Sequence, residues 1–135
     1  MTSTILYLGD LRTECTHLRS GQTIITDAPV DNNGKGEAFS PTDLAATALG
    51  TCMVTIMGIA ARNHGLNIDG TKVEITKHMA ADPRRIAAVD VHITMPETHY
   101  SSKDKKILEA AAKTCPMAFS LHPDIRQNLS FTWLD

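Results

Sequence analysis

Three cysteines, Cys15, Cys52 and Cys115, are the strongest candidates for chemistry in this sequence of 135 residues. A thiolate is a nucleophile, and two thiols that lie close together can be oxidised to a disulfide and reduced again. Three is an odd number, and it is too few for the disulfide framework of a small secreted protein. We therefore expect a reducing, cytoplasmic environment in which cysteine oxidation is reversible.

Cys52 lies near the middle of a long apolar segment that starts at Ser40. If this segment is a helix, Cys52 is too far from its N-terminus for the helix dipole to activate the thiol. Apolar burial also disfavours the thiolate. Cys52 is then either a small apolar core residue or a nucleophile that needs a cation from another element.

Cys115 precedes Pro116, a residue that suits the first position of a new helix. Free N–H groups at that helix start, together with solvent access, would lower the pKa of the Cys115 thiol. The alternative is that Cys115 only joins two helices. Cys15 lies between Glu14 and the nearby His17 without a recognisable motif, and we interpret it as incidental.

Other kinds of site are not indicated by the sequence. No C-x-x-C, H-x-x-x-H or H-E-x-x-H spacing occurs, so we expect neither a metal nor an organic cofactor. A glycine-rich phosphate loop and a nucleophile elbow are also missing. Thirteen basic against fifteen acidic residues, with 4% aromatic residues, predict that nucleic acid is not a partner.

The central element is a helix predicted from Pro41 to about His64, with Ser40 as N-cap and Gly65 as the stop. Between Asp43 and Arg62 it carries no charge, and apolar residues occur on every face. Such a helix should be buried all round. A membrane span is the alternative, but threonine and glycine residues dilute the apolar character. We expect no membrane partner and instead a second subunit that helps to enclose the helix.

The flanking segments carry strand and helix patterns. Residues 4–27 predict strands, and residues 31–36 form a polar loop. Alternation after residue 72 and again at 89–95 predicts an antiparallel hairpin. A second amphipathic helix should start at Ser102 and end near Cys115, before a short helix at Pro116 and a last half-buried strand around Leu129 and Phe131. The length suits one domain, residues 1–135.

Two segments resemble the OsmC/Ohr family of hydroperoxide-reducing proteins. The stretch FSPTDLAATALGTC, which ends at Cys52, is similar to the start of that family's central helix. TCPM, which contains Cys115, is similar to the segment of its second cysteine. The order of elements agrees over the whole chain. The resemblance implies a single OsmC-like α+β domain at 1–135, with antiparallel sheets around a long buried helix, in an intertwined homodimer.

The same resemblance implies site residues. Cys52 would be the nucleophile and Cys115 the resolving cysteine, and Arg12, on an N-terminal strand, would hold the reactive thiolate. Arg19 is the alternative arginine, closer to a turn. The hydroperoxide-resistance branch has a glutamate ten residues before the reactive cysteine; here Thr42 occupies that position, followed by Asp43. Asp43 either pairs with Arg12 or only caps the helix.

The function implied is a thiol-dependent peroxidase for organic hydroperoxides or hydrogen peroxide, restored by an external dithiol. Its catalytic residues would be Cys52, Cys115, Arg12 and Asp43. Apolar neighbours of Cys52 in the helix would suit an alkyl peroxide: Leu49, Met53 and Met57. The alternative is an OsmC-like binding or stress-associated module with weak or no turnover, which the Thr42–Asp43 departure favours.

Overall fold

A computed structural model describes residues 1–134, which divide into two compact units. The first unit, Met1–Ala45, contains strands β1 (Ser3–Gly9), β2 (Arg12–His17) and β3 (Thr23–Asp27). These pair in the order β1-β2-β3, and both pairs are antiparallel. The strands predicted within residues 4–27 are therefore confirmed, and a single 3-10 turn at Val30–Asn32 follows in the polar loop.

The sheet of the first unit has no apolar core of its own. Within residues 1–45, all of which the structure describes, the buried side chains are Thr26, Asp27 and Ser40. Both faces of β1 are exposed, because side chains that alternate along a strand point to opposite faces and Leu6 and Tyr7 are each 62% exposed. The apolar pattern of β1 is thus not used for packing within the single chain.

The second unit begins at Ala46 and contains an apolar core. Besides most of helix α1 (Pro41–Asn63), it holds β4 (Lys72–Ala80), β5 (Arg85–Thr94), α2 (Ser102–Ala112), α3 (Pro116–Ser120) and β6 (Arg126–Thr132). The strands pair in the order β4-β5-β6. Alternate residues of β5 point into the core and are fully buried: Val89, Val91 and Ile93. These three residues lie on one side of the alternating pattern at 89–95.

Helix α1 begins and ends where its capping residues predict. The Asp43 N–H donates to Ser40 Oγ and the Ser40 N–H donates to Asp43 Oδ2, both at 3.0 Å, which is a capping box. After the last turn, Gly65 has a φ of 67°, the left-handed conformation that glycine adopts without a steric penalty. The local signals for both helix ends were therefore sufficient.

Helix α1 is only partly buried within the single chain, so its burial on every face stays a prediction for the assembly with a second subunit. One face is buried against the sheet and α2, but Thr51, Thr55 and Ile59 on another face are exposed. In the most apolar 18-residue stretch of the helix, 33% is buried within the chain. By length and composition α1 could cross a membrane, a test that core helices of soluble proteins also pass.

The α+β fold class is confirmed, with one difference in the second sheet. β4 and β5 pair antiparallel as predicted, whereas β6 lies parallel to β5, with Val91 opposite Leu129. The expectation of antiparallel sheets throughout is therefore wrong for this pair. The chain leaves β5, passes through α2 and α3 and returns, and such a crossover connection makes the pairing parallel. Helix α2 ends at Ala112, three residues before Cys115.

Candidate functional site

The second unit brings two of the predicted site residues together. Cys52, on α1, is half-buried, and Cys115, the N-cap of α3, is fully buried. Cys52 packs against the core cluster that contains Cys115, and it is near enough to raise the pKa of the Cys115 thiol. Both are free thiols, as is Cys15. A half-exposed thiol in contact with a buried one is an arrangement that can form a disulfide without a large movement of the chain.

The predicted solvent access of Cys115 is wrong. Burial raises the pKa of the Cys115 thiol, and this outweighs the Ala118 N–H, which donates to the sulfur at 3.3 Å and favours the thiolate. The neighbouring Cys52 raises the Cys115 pKa further. The cause of the burial is that the start of α3 joins the same apolar cluster as Leu49 and Leu108. Cys115 is therefore a protonated thiol at neutral pH.

The apolar residues that were expected to line a substrate pocket are core residues. Leu49, Met53 and Met57 are at most 2% exposed and lie in the same packed cluster. Cys52 packs against the cluster that they form. A small apolar cavity of about 110 Å³ lies elsewhere on α1, bounded by Gly50, Val54 and strand β4.

The first unit contains a second polar arrangement, centred on Arg12. Arg12 Nε and Nη2 donate to the two carboxylate oxygens of Asp27, at 2.7 and 2.8 Å. Arg12 Nη2 also lies 3.6 Å from Glu37 Oε1. The hydrogen bond from Arg12 is the main cause that holds the Asp27 pKa below its usual value, and burial acts in the opposite direction. Asp27 is 1% exposed and Arg12 is 28% exposed.

Asp27 is the residue that the sequence reasoning missed. Its position at the end of β3, directly opposite Arg12 at the start of β2, follows from the register of the hairpin. The sequence contains a signal for this pair, because opposite charges at the outer ends of two strands joined by a short turn are expected to pair. It depends on the register, which shifts by one residue if the turn is centred differently.

The remaining predicted residues take simpler positions. Asp43 caps α1 through Ser40, and a pairing of Asp43 with Arg12 stays a prediction. Arg19 lies in the exposed turn after β2. Cys15 lies in the middle of β2, and its sulfur is 3.9 Å from the Thr13 hydroxyl. Within residues 1–134, no cluster of three or more histidine, cysteine and acidic side chains could hold a metal ion.

A family model described as OsmC-like protein matches residues 34–130, which is most of the chain. The chain belongs to the OsmC-like protein family. The match covers Cys52 and Cys115 and leaves out the strand that carries Arg12. The suspected family is thereby confirmed, and no curated protein sequence matches the chain.

Solved structures agree with this OsmC-like assignment. A crystal structure from Psychrobacter arcticus, of a protein assigned to osmotic stress induction and a detoxification response, is 55% identical, with a TM-score of 0.94 over 98% of this chain and 96% of that one. An organic hydroperoxide resistance protein OsmC from Legionella pneumophila is 17% identical and has a TM-score of 0.76. The match covers 98% of this chain and 97% of that one. An OsmC-like protein from Mycoplasma pneumoniae is 16% identical and has a TM-score of 0.81. The match covers 98% of this chain and 96% of that one. The last two show the fold alone.

Proposed function

We propose that this OsmC-like chain is a thiol-dependent peroxidase that reduces organic hydroperoxides, with Cys52 as nucleophile and Cys115 as resolving thiol. The observation that carries the proposal is the contact between the half-buried Cys52 thiol and the fully buried Cys115 thiol. The two differ in accessibility, so a peroxide can reach one and not the other. Structural relatives named as organic hydroperoxide resistance proteins support the choice of substrate class.

The chemistry proceeds in two steps. The Cys52 thiolate attacks one peroxide oxygen, the O–O bond breaks, and the alkoxide takes a proton to leave as alcohol, so that sulfur is oxidised to a sulfenic acid. The Cys115 thiol then attacks the sulfenic sulfur, water leaves, and a disulfide forms. The raised pKa of Cys115 keeps its proton in place until this step. An external dithiol reduces the disulfide and completes the cycle.

We assign Arg12 the role of stabilising the Cys52 thiolate and the charge on the departing oxygen. A half-buried thiolate needs a cation, because the middle of α1 is beyond the reach of the helix dipole. The resemblance to the family supports an arginine on an N-terminal strand in this role. The fixed geometry of Arg12, held by Asp27, is what an electrostatic group of this kind requires.

We further propose that the working protein is a homodimer. A unit of 45 residues without one buried apolar side chain cannot be stable alone, because nothing offsets the entropy of ordering its chain. The exposed apolar residues of β1 and the exposed face of α1, including Ile59, need a cover. A second copy of the chain supplies complementary apolar surface of the same kind.

The deciding experiment follows the thiols through one turnover. Reduced protein receives one equivalent of cumene hydroperoxide, free thiols are blocked, and peptides are identified by mass spectrometry. We expect a disulfide between Cys52 and Cys115 and an unmodified Cys15. Slow consumption of every hydroperoxide tested, with all three thiols still free, would contradict the proposal and favour a binding module.

A further inference from the structure

Helix α3 is too short to be stable by itself. It has five residues, and isolated helices of this length do not form in water. Its last carbonyl groups have no N–H group one turn further along the helix, so they need donors from other parts of the chain. The Met117 carbonyl accepts the Leu121 N–H at 3.2 Å. The Ala118 carbonyl accepts a side-chain N–H, from Gln127 Nε2 on β6, at 2.9 Å.

Gln127 is a polar residue on the apolar side of β6. Side chains of a strand alternate between its two faces, so Gln127 shares its face with Leu129 and Phe131. Both of these pack against the core, and Gln127 is itself half-buried. Burial of a side-chain amide costs free energy unless the amide is hydrogen-bonded. The amide at this position therefore serves the contact with α3 and not the apolar packing of the sheet.

The residue that accepts the hydrogen bond from Gln127 also contacts the buried sulfur of the cysteine pair. The Ala118 N–H donates to Cys115 Sγ at 3.3 Å, so that the sulfur caps the first turn of α3. Because Cys115 is the N-cap residue and is fully buried, its sulfur moves with the backbone of this turn. The position of the sulfur relative to Cys52 therefore depends on how firmly α3 is held on the sheet.

We propose that Gln127 is the positioning residue for the second step, tethering α3 to β6 so that the Cys115 sulfur stays in place to attack Cys52. This inference rests on the proposed function and deepens it. Gln127 acts through the backbone of α3. Attack within one molecule is fast only while the attacking sulfur is held close and aligned. Without the tether, α3 leaves the sheet more often, and Cys115 spends less time in the attacking position.

The test replaces the amide with an apolar side chain of similar length, Gln127→Met, which cannot donate to the Ala118 carbonyl. Two reactions should then change in opposite directions. In single turnover with cumene hydroperoxide, we expect the dimedone-reactive sulfenic acid of Cys52 to persist at least about fivefold longer than in the wild type. In a Cys52→Ser background, alkylation of Cys115 by iodoacetamide should be about fivefold faster, because α3 opens more often. Formation of the sulfenic acid should stay within about twofold of the wild type.

Asn128→Leu is the matched control. Asn128 is the next residue of β6, and its amide donates to Asp90 Oδ1 at 2.8 Å from the opposite face of the strand. The substitution likewise replaces a hydrogen-bonded amide with an apolar side chain, so it reports any general loss of stability in the sheet. The sulfenic-acid lifetime and the alkylation rate should both stay within about twofold of those measured without the substitution.

A second variant keeps the test usable if Gln127→Met does not fold. Gln127→Glu has nearly the same shape, but an ionised carboxylate accepts hydrogen bonds and cannot donate them. It should prolong the sulfenic acid and speed the alkylation of Cys115, as Gln127→Met does.

The outcomes separate this inference from the proposed function. A wild-type lifetime of the sulfenic acid in both Gln127 variants would overturn the positioning role and leave the peroxidase proposal standing. Changes of equal size in Asn128→Leu would also overturn it, because the effect would then be a general loss of stability. If the wild type reduces no hydroperoxide, the proposed function fails, and the alkylation of Cys115 still decides whether Gln127 holds α3 in place.

Discussion

At the scale of single residues, the two cysteines of the candidate site differ by environment and not by chemical type. Cys115 lies fully inside the core, where a negative charge is poorly solvated, so its thiol stays protonated. Cys52 is partly open to solvent on the face of α1. The same difference assigns their order in the proposed reaction, because the accessible thiol reacts first and the buried one follows.

Single cysteine variants test this order. In Cys115→Ser, one equivalent of hydroperoxide should leave Cys52 as a sulfenic acid that dimedone traps, and excess peroxide should drive it to sulfinic acid, because no thiol is left to condense with it. Mass spectrometry identifies both products. Rapid loss of the dimedone-reactive species in favour of a disulfide with Cys15 would contradict the assigned roles.

The variant Cys52→Ser tests the environment of Cys115 alone. Its pKa is raised mainly by burial, which the substitution leaves in place. A raised pKa means that the thiolate forms only at higher pH, so alkylation by iodoacetamide should begin at a higher pH than that of glutathione and stay slow near neutrality. Fast reaction of Cys115 with iodoacetamide or with peroxide at pH 7 would contradict the burial of its thiol in the structure.

At the scale of elements, the close contact between α1 and β4 depends on a glycine. A Cβ at Gly50 would lie 2.6 Å from Ile75 Cδ1 and 3.1 Å from Val73 Cγ1, both of which are side-chain atoms of β4. The absence of a side chain at this helical position lets the backbone of α1 approach the sheet. By contrast, a Cβ at Gly58 would meet nothing within 4 Å in the chain.

These two glycines form a matched pair of substitutions. Gly50→Ala should destabilise the protein, because overpacking of about 1–3 kcal/mol exceeds the gain of about 1 kcal/mol in helix propensity. Gly58→Ala should be less destabilising than Gly50→Ala, because a Cβ at Gly58 meets no atom of the chain within 4 Å. Thermal unfolding followed by circular dichroism measures both. In an Ile75→Val background, which removes the nearest atom, the loss from Gly50→Ala should shrink. An undiminished loss there would locate the clash at Val73 instead.

At the scale of the whole molecule, the two units of the chain differ in how much apolar surface they bury. The second has a core with buried residues from α1, β5 and α2, and the first has none. A three-stranded sheet exposed on both faces is not expected to stay folded in water by itself. The stability of residues 1–45 must come from surfaces outside their own sheet. For this reason we propose that a second copy of the chain covers the exposed apolar residues of this unit.

Association should be visible as a dependence of stability on concentration. Sedimentation at micromolar concentration should give a dimer, and Tm should rise with protein concentration, because dissociation accompanies unfolding. Tyr7→Ser on β1 should lower Tm although Tyr7 is 62% exposed in the single chain. Thr76→Ser, at an exposed position of β4, is the control and should leave Tm unchanged. A well-folded monomer at micromolar concentration would contradict this assembly.

The amino-acid sequence by itself determined the features that depend on near neighbours along the chain. Ser40, Asp43 and Gly65 mark both ends of α1 because capping groups act within one turn of the helix. The alternation in β5 indicated which side chains face the core, because a strand repeats every two residues. The two cysteine-containing segments indicated the family, which the match over residues 34–130 confirmed.

Only the tertiary structure decided the features that join distant parts of the chain. The contact of Cys52 with Cys115 and the burial of Cys115 follow from the packing of α3 on the core, which no local pattern specifies. The parallel pairing of β6 follows from the path of the chain after β5. The partnership of Arg12 with Asp27 follows from strand register, and register is determined by the sum of many cross-strand contacts.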